Sequence, residues 1–315
     1  MKALVTGATG FVGTALCRAL LERGLFVRAA VRDRTRPVAA SEVVPVGGID
    51  GATDWIAALE GIDVVFHLAA LAHIVQRPDR SPPPYDRVNA DGTRRLAAQA
   101  AAAGVSRLVL LSSLKVNGET SPPGGLRESD PLQPSEPYAL SKARAEAAVT
   151  AIAAETALRA VIIRPPLVYG PGVRANFLEL VRAVDRGQLL PIGAVNNRRS
   201  FIYVGNLCSA LHAAAVHPAA PGEIFLVSDG EALSTAALAR RIGAALGRRP
   251  RLLSLPLPLL RVAAAVVGHG DAVEKLTASL VVDDRKIRTR LGWTPPFTLD
   301  EGLVATVGWY RGLGR

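Results

Sequence analysis

Short apolar runs separated by Ala- and Arg-rich stretches set the rhythm of the first half of the chain. Lys2 to Thr6, Phe26 to Val31, Glu42 to Val46, Val64 to Leu68, Arg107 to Ser112 and Ala160 to Arg164 are short and almost continuously hydrophobic, which fits strands covered on both faces. Between them Gly13 to Arg23, Asp54 to Leu59, Asn89 to Ala103 and Tyr138 to Glu155 predict helices; the Ala-rich tracts at 97–103 and 143–154 are strong helix formers. Strands alternating with helices make an α/β fold with a parallel sheet. After Arg164 the rhythm changes, with Pro165-Pro166, Tyr169-Gly170-Pro171-Gly172 and Leu190-Pro191-Ile192-Gly193 punctuating shorter elements. A second, smaller lobe is expected there. Glu223 to Val227 again reads as a buried strand, so part of the later chain, near 200–230, is expected to return to the first lobe.

Composition narrows the class. With 315 residues, 49% of them hydrophobic, the chain has room for a sizeable core. Two cysteines, Cys17 and Cys208, in apolar surroundings, and five histidines without a Cys/His cluster suggest neither a disulfide framework nor a metal site. The N-terminus reads directly as a strand and lacks a signal-peptide pattern, so a cytoplasmic location is expected. The formal charge of +10 invites nucleic acid, but the arginines are dispersed and aromatics make up only 5%, so no nucleic-acid partner is expected. Leu252 to Val267 is apolar but short and broken by Pro256, Pro258 and Arg261. It reads as a core or dimer-interface helix rather than a membrane span, and a homodimer is the expected assembly.

Gly7-Ala8-Thr9-Gly10-Phe11-Val12-Gly13 follows the first strand at once and opens the first helix. That is the setting of a phosphate-cradling loop: Gly7 for the tight turn, Gly10 for close backbone approach, Gly13 for helix–sheet packing, and the helix N-terminus facing a pyrophosphate. The spacing is G-x-x-G-x-x-G, and a purely structural turn is the alternative. At the end of the second strand a carboxylate would hold the adenosine ribose; here Val31 takes that place. Arg32, assisted by Arg34 or Arg36, suits a 2′-phosphate, so NADP(H) is expected over NAD(H), with Asp33 near enough to contest it.

Tyr138-Ala139-Leu140-Ser141-Lys142 puts a phenol and an ammonium four residues apart on one helical face. A nearby cation and the field of a shared nicotinamide would draw a tyrosine pKa down from about 10 toward neutrality, making an acid/base group. The same spacing also occurs on ordinary helix surfaces, so its position after the glycine loop and after Ser112-Ser113 is what gives it meaning.

With the glycine loop, Val64 to Ala70, Val88-Asn89-Ala90-Asp91-Gly92-Thr93, Leu111-Ser112-Ser113 and Tyr138 to Lys142 in this order, the chain resembles the extended short-chain dehydrogenase/reductases, and within them the nucleotide-sugar epimerase/dehydratase group. Ser112 to Glu119, Ile163 to Gly172 and Phe225 to Gly230 resemble bacterial UDP-N-acetylquinovosamine dehydrogenases, the UDP-4-keto-6-deoxy-sugar reductases of surface-polysaccharide synthesis. The resemblance implies a Rossmann-type doubly wound sheet over residues 1–164 for NAD(P), with a substrate-binding lobe occupying most of 165–315.

It further implies Ser113 as the catalytic hydroxyl, with Ser112 as competitor, Tyr138 as acid/base, and Lys142 lowering the tyrosine pKa and binding the nicotinamide ribose. Thr9, Phe11, Val12, Arg32, Ile49, Leu68, Ala69, Ala70, Asn89, Ser112 and Pro165 join the three glycines, Tyr138 and Lys142 along the dinucleotide. Ser113, Lys115, Asn117, Asn176, Phe177 and Arg199 are the implied substrate contacts, Arg199 on the diphosphate. Against this, Arg199 also reads as half of a solvated Arg198-Arg199 pair, and His67 as a strand-end core histidine with no catalytic role. Three departures bear on sugar choice: Asn117 replaces a commoner tyrosine, Leu167 a commoner asparagine, and Gly48 precedes Ile49 where an acid is frequent. A second diphosphate-binding arginine has no clear match; Lys275 and Arg285 are the candidates.

Three functions follow as expectations. The first is NADPH-dependent reduction at C4 of a UDP-4-keto-6-deoxy-N-acetylhexosamine. The second is a UDP-sugar 4-epimerase with tightly bound NAD, and the third a dinucleotide-binding relative without turnover. A lipid-diphosphate-linked sugar would bring the protein to a membrane surface, where its basic charge would help.

Overall fold

The computed structural model describes residues 1–72, 84–256, 258–259 and 276–313. Seven parallel strands form the central sheet: β1 (Lys2–Thr6), β2 (Phe26–Val31), β3 (Glu42–Pro45), β4 (Val64–His67), β5 (Arg107–Leu111), β6 (Arg159–Arg164) and β10 (Ile224–Leu226). Their order is β10-β6-β5-β4-β1-β2-β3. All six pairings are parallel, Leu4 standing opposite both Arg28 and Val65, and Leu110 opposite Ile162. The strands match the expected runs to within a residue at either end.

Alternation along the strands explains their unbroken hydrophobicity. Ala3, Val5, Val27, Ala29, Val64, Phe66, Val109 and Val161 face one core, where they meet Leu16 and Leu20 of α1 (Phe11–Glu22) and Leu207 and Leu211 of α6 (Val204–Val216). The intervening Leu4, Ala30, Val65, Leu108, Leu110, Ala160 and Ile162 face a second core. There they meet α2 (Ile56–Leu59), α3 (Gly92–Ala102) and α4 (Pro137–Glu155). Both faces are dry, as a parallel sheet between helices requires.

The expected helix from Asn89 begins instead as a π-turn, Asp86–Asp91, that runs on into α3. Gly92 lies under Ile49, whose Cγ2 would be 2.6 Å from an added Cβ, so any larger residue there requires the Ile49 side chain to shift. Helix α1 begins two residues earlier than its pattern suggested, at Phe11.

The later chain builds a smaller sheet from β7 (Leu167–Tyr169), β9 (Arg199–Tyr203) and β11 (Ala232–Leu233), and a strand pair from β8 (Leu189–Leu190) and β12 (Arg251–Leu252). Its own core joins Tyr169 of β7, and Phe177 and Val181 of α5 (Ala175–Asp185), to α7 (Thr235–Leu246) and α9 (Leu299–Gly312). Helix α8 (Arg285–Leu291) packs against the main core. Most of the apolar segment Leu252 to Val267, and Lys275, lie outside the described residues. Among the described residues no helix is long and apolar enough to cross a membrane.

One buried ion pair ties the end of β6 to α4. Arg164 donates from Nε and Nη2 to Glu146 at 3.0 and 2.5 Å and from Nη1 to Asn117 Oδ1 at 3.1 Å. The two side chains are 2% and 5% exposed, so removing one partner strands a desolvated charge. Glu146→Ala is expected to lower the unfolding free energy by about 3–5 kcal/mol, whereas Glu146→Leu with Arg164→Met recovers most of that loss. Urea denaturation at pH 7 checks this; a loss within about 1 kcal/mol for the single variant, the worth of a surface pair, shows that the pair contributes little.

Candidate active site

The strand order reverses between β1 and β4, so the loops after these strands diverge and leave a crevice at their C-terminal ends. Gly7, with φ +66°, turns the chain out of β1, and its amide face abuts β4's extension: an added Cβ would lie 2.7 Å from the Ala69 nitrogen. Gly10 N–H closes the turn on the Gly7 carbonyl at 2.9 Å. A Cβ on Gly13 would fall 2.1 Å from that same carbonyl, so α1 can start here only with glycine. The helix N-terminus has no side-chain cap and no acidic residue in its first turn, which leaves its amides directed at the crevice. Thr9, Val12, Leu68, Ala69 and Ala70 are half-buried along the same edge. Phe11 packs against both the main core and the second-lobe core.

On the other side of the crevice, Ser112 is held by its N–H to the Ile163 carbonyl at 2.8 Å. Its hydroxyl is buried without a hydrogen-bond partner from the protein. A bound polar group can satisfy such an orphan, and this one stands next to Ser113. Ser113 caps the 3₁₀ turn Leu114–Val116, accepting from the Lys115 N–H at 3.3 Å, and its hydroxyl is hydrogen-bonded to Tyr138. Pro165 accepts from the Leu114 N–H at 2.9 Å.

Lys142 is 2% exposed, and its ammonium donates to the Leu111 carbonyl at 2.7 Å. Burial pushes its pKa down to about 8, with Glu146 pulling the other way. Tyr138 moves opposite to the expected direction: burial pushes the phenol up to about 12, the Ser113 hydrogen bond lowers it, and Tyr85, edge-on at 6.1 Å, raises it. In the protein alone desolvation of the phenolate dominates.

The remaining expected residues divide. Asn89, in the π-turn, clamps Leu71, accepting its N–H at 2.7 Å and donating to its carbonyl at 3.0 Å. Arg32 is exposed at the end of β2, and Ile49 is wedged over Gly92. Lys115 reaches Glu136 at 2.6 Å and Glu119 at 3.3 Å beside the Ser113–Tyr138 pair. Asn117 is buried, with Oδ1 committed to Arg164 and Nδ2 donating to the Asp130 carbonyl at 3.4 Å. Phe177 is buried in a stack on Tyr169 at 5.2 Å, whereas Asn176 is exposed at the start of α5, next to Ala175 with φ 52°. Arg199 donates to the Ala278 carbonyl at 3.2 Å, and burial lowers its pKa against the attraction of Glu119. Sequence reasoning gave no role to Tyr85, Glu136 or Glu146, nor to Thr93, although Thr93 closes the Val88 to Thr93 motif. Only Glu146, four residues after Lys142, carried a spacing signal.

Residues 3–228 match the model of the NAD dependent epimerase/dehydratase family. The chain is 39% identical over 307 residues to UDP-glucose 4-epimerase of Vibrio cholerae, a match covering 96% of this chain and 93% of that protein. It is 31% identical over 329 residues to 2-alkyl-3-oxoalkanoate reductase of Stenotrophomonas maltophilia, covering 96% and 97%. Among solved structures, MoeE5 in complex with UDP-glucose and NAD is similar with a TM-score of 0.79 and 30% identity, covering 100% of both chains. The fold is that of the extended short-chain dehydrogenase/reductases. The chain belongs to the NAD dependent epimerase/dehydratase family and is an enzyme.

The depressed pKa of Lys142 has a measurable consequence. The folded protein binds fewer protons than the unfolded chain between pH 8 and 10.5, so this group's contribution to stability rises with pH there, by at most about 1.4 kcal/mol per unit. Wild type minus Lys142→Met, compared by urea unfolding from pH 8 to 10, is expected to show that rise. The raised thiols of Cys17 and Cys208 act in both proteins and cancel, and a flat difference contradicts the assignment.

Proposed function

We propose that the enzyme transfers a hydride at C4 of a UDP-linked hexose. In this reading, residues 1–164 with the returning strand β10 hold a nicotinamide dinucleotide, and mainly residues 165–315 hold the sugar nucleotide. The observation that carries the reading is the convergence of Ser113, Tyr138 and Lys142 beside the orphan Ser112 hydroxyl. The near-full-length likeness to a UDP-glucose 4-epimerase supports the sugar-nucleotide part.

Gly7, Thr9, Gly10, Phe11, Val12 and Gly13 would cradle the pyrophosphate, with Ile49, Leu68, Ala69 and Ala70 along the adenosine half and Ser112, Lys142 and Pro165 at the nicotinamide ribose; Asn89, buried and bonded to Leu71 and Ser141, acts through these neighbours. A nicotinamide bound there supplies the hydride acceptor or donor. Tyr138 takes the C4 hydroxyl proton during oxidation and returns it during reduction, oriented by Ser113. Its high pKa in the protein alone favours the protonated form, and a cationic ring next to Lys142 would shift the balance toward phenolate. Lys115, Asn176 and Arg199 are proposed to face the sugar nucleotide. Phe177 would shape its pocket, and Asn117 acts by holding Arg164.

Oxidation followed by reduction on the opposite face of C4 gives 4-epimerisation with NAD, the first reading. The second is the NADPH-dependent UDP-4-keto-6-deoxy-N-acetylhexosamine reductase expected from the sequence, and one feature favours it. Asp33 turns its carboxylate onto the Thr35 N–H, at 3.0 Å, and hydroxyl, while Arg32 stands exposed beside it at the end of β2.

The protein is expected to interconvert UDP-glucose and UDP-galactose, and saturating UDP should stabilise it by about 2.7 kcal/mol at a hundred times its Kd. Tyr138→Phe should cut turnover at least about 100-fold while leaving dinucleotide affinity nearly intact. Absence of any UDP stabilisation removes the UDP-sugar reading, and near-normal turnover in the variant removes the role of Tyr138.

Cofactor choice is tested separately. Arg32→Ala should weaken NADPH binding by roughly 1.5–3 kcal/mol, the worth of a charge-assisted hydrogen bond, with little effect on NADH. Equal effects on both cofactors in a titration exclude Arg32 as the 2′-phosphate reader and favour the epimerase.

A further inference from the structure

We propose that His67 is a positioning residue. It is the centre of a buried hydrogen-bond chain, Thr6–His67–Thr93–Asn89–Ser141, that fixes the helix of Tyr138 and Lys142 relative to the wall of the glycine loop.

One assignment of donors and acceptors gives every proton along this chain an acceptor. Thr93 gives its hydroxyl proton to the Asn89 carbonyl at 2.6 Å, so its oxygen accepts from His67 Nε2 at 2.8 Å. His67 Nδ1 then accepts from the Thr6 hydroxyl at 2.7 Å, and the Thr6 oxygen accepts the Leu68 and Ala69 N–H groups at 3.2 Å each. These two amides are the backbone that abuts Gly7. At the other end, Asn89 Nδ2 donates to Ser141 Oγ at 2.9 Å, and Ser141 donates to the Tyr138 carbonyl at 2.7 Å.

All five side chains are at most 1% exposed, so water does not replace a lost link. Burial, and after it Lys142, hold the imidazole neutral, its pKa pushed down to about 3, which the single-proton tautomer requires. Glycine loop and acid/base helix are remote in sequence, and a misplacement of about 1 Å between them is enough to cost about 100-fold in rate.

The proposal rests on the dinucleotide reading above, and NADH titration followed by nucleotide fluorescence separates the two. His67→Leu and the isosteric Thr93→Val are each expected to raise the NADH Kd about tenfold and lower the turnover of UDP-glucose about 10–100-fold. The double variant should be no worse than His67→Leu, because both break one chain. His67→Gln should recover most of the loss, since its amide presents an acceptor and a donor spaced like the two ring nitrogens. If His67→Leu does not fold, Thr93→Val and His67→Gln carry the test. Wild-type protein that binds neither NADH nor NADPH overturns the functional reading and this proposal together. Wild-type binding that is unchanged in the variants, or losses that add in the double variant, overturns the proposal alone.

Discussion

The Arg164–Glu146 ion pair is the constraint on which the rest of the site depends. Taking both charges out of water is costly, and the geometry compensates: two guanidinium donors meet one carboxylate while the third is taken by Asn117. Arg164 ends β6, Glu146 lies one turn beyond Lys142 on α4, and Asn117 follows the 3₁₀ turn that starts at Ser113. Three segments that each contribute one reactive side chain, or border one, are thereby held by a single buried contact. Asn117 is held in place by this contact, its Oδ1 accepting from Arg164 Nη1.

Around that pair the site is arranged to suppress charge. Burial lowers Lys142 to about 8 and His67 to about 3, and raises Tyr138 to about 12, so each group is biased toward its neutral form. A charged ligand among such buried groups is weakly screened. It would therefore change the protonation of Tyr138 and Lys142 more than the same ligand at a surface. The high phenol pKa and an acid/base role for Tyr138 are compatible for this reason: the resting site keeps the proton on Tyr138 until the reacting partners alter the field.

Among the described residues, Phe11 and Tyr203 pack against both cores. Phe11, the first residue of α1, touches both cores, and a Cβ on Gly172 would come within 3.3 Å of its ring. The glycine loop and the loop after β7 therefore share a wall. Tyr169 continues the link: it stacks on Phe177 and donates to Asp229 at 2.8 Å, and Asp229 also accepts the Tyr203 N–H at the start of α6.

The sequence alone determined the sheet, because burial on both faces forces unbroken apolar runs that are legible without neighbours; each run from Lys2 to Arg164 became a strand. It also marked the glycine loop and the Tyr138–Lys142 spacing, since both depend on contacts within a few residues. What only the tertiary structure decided are the long-range relations. The Lys142 ammonium turns to the Leu111 carbonyl, the Tyr138 pKa rises instead of falling, and Asn117 and Phe177 are drawn into cores. His67 becomes the link between two threonines that lie 61 and 26 residues away. Desolvation and hydrogen-bond partnership depend on which segments meet in space, and a local pattern of residues does not contain that information.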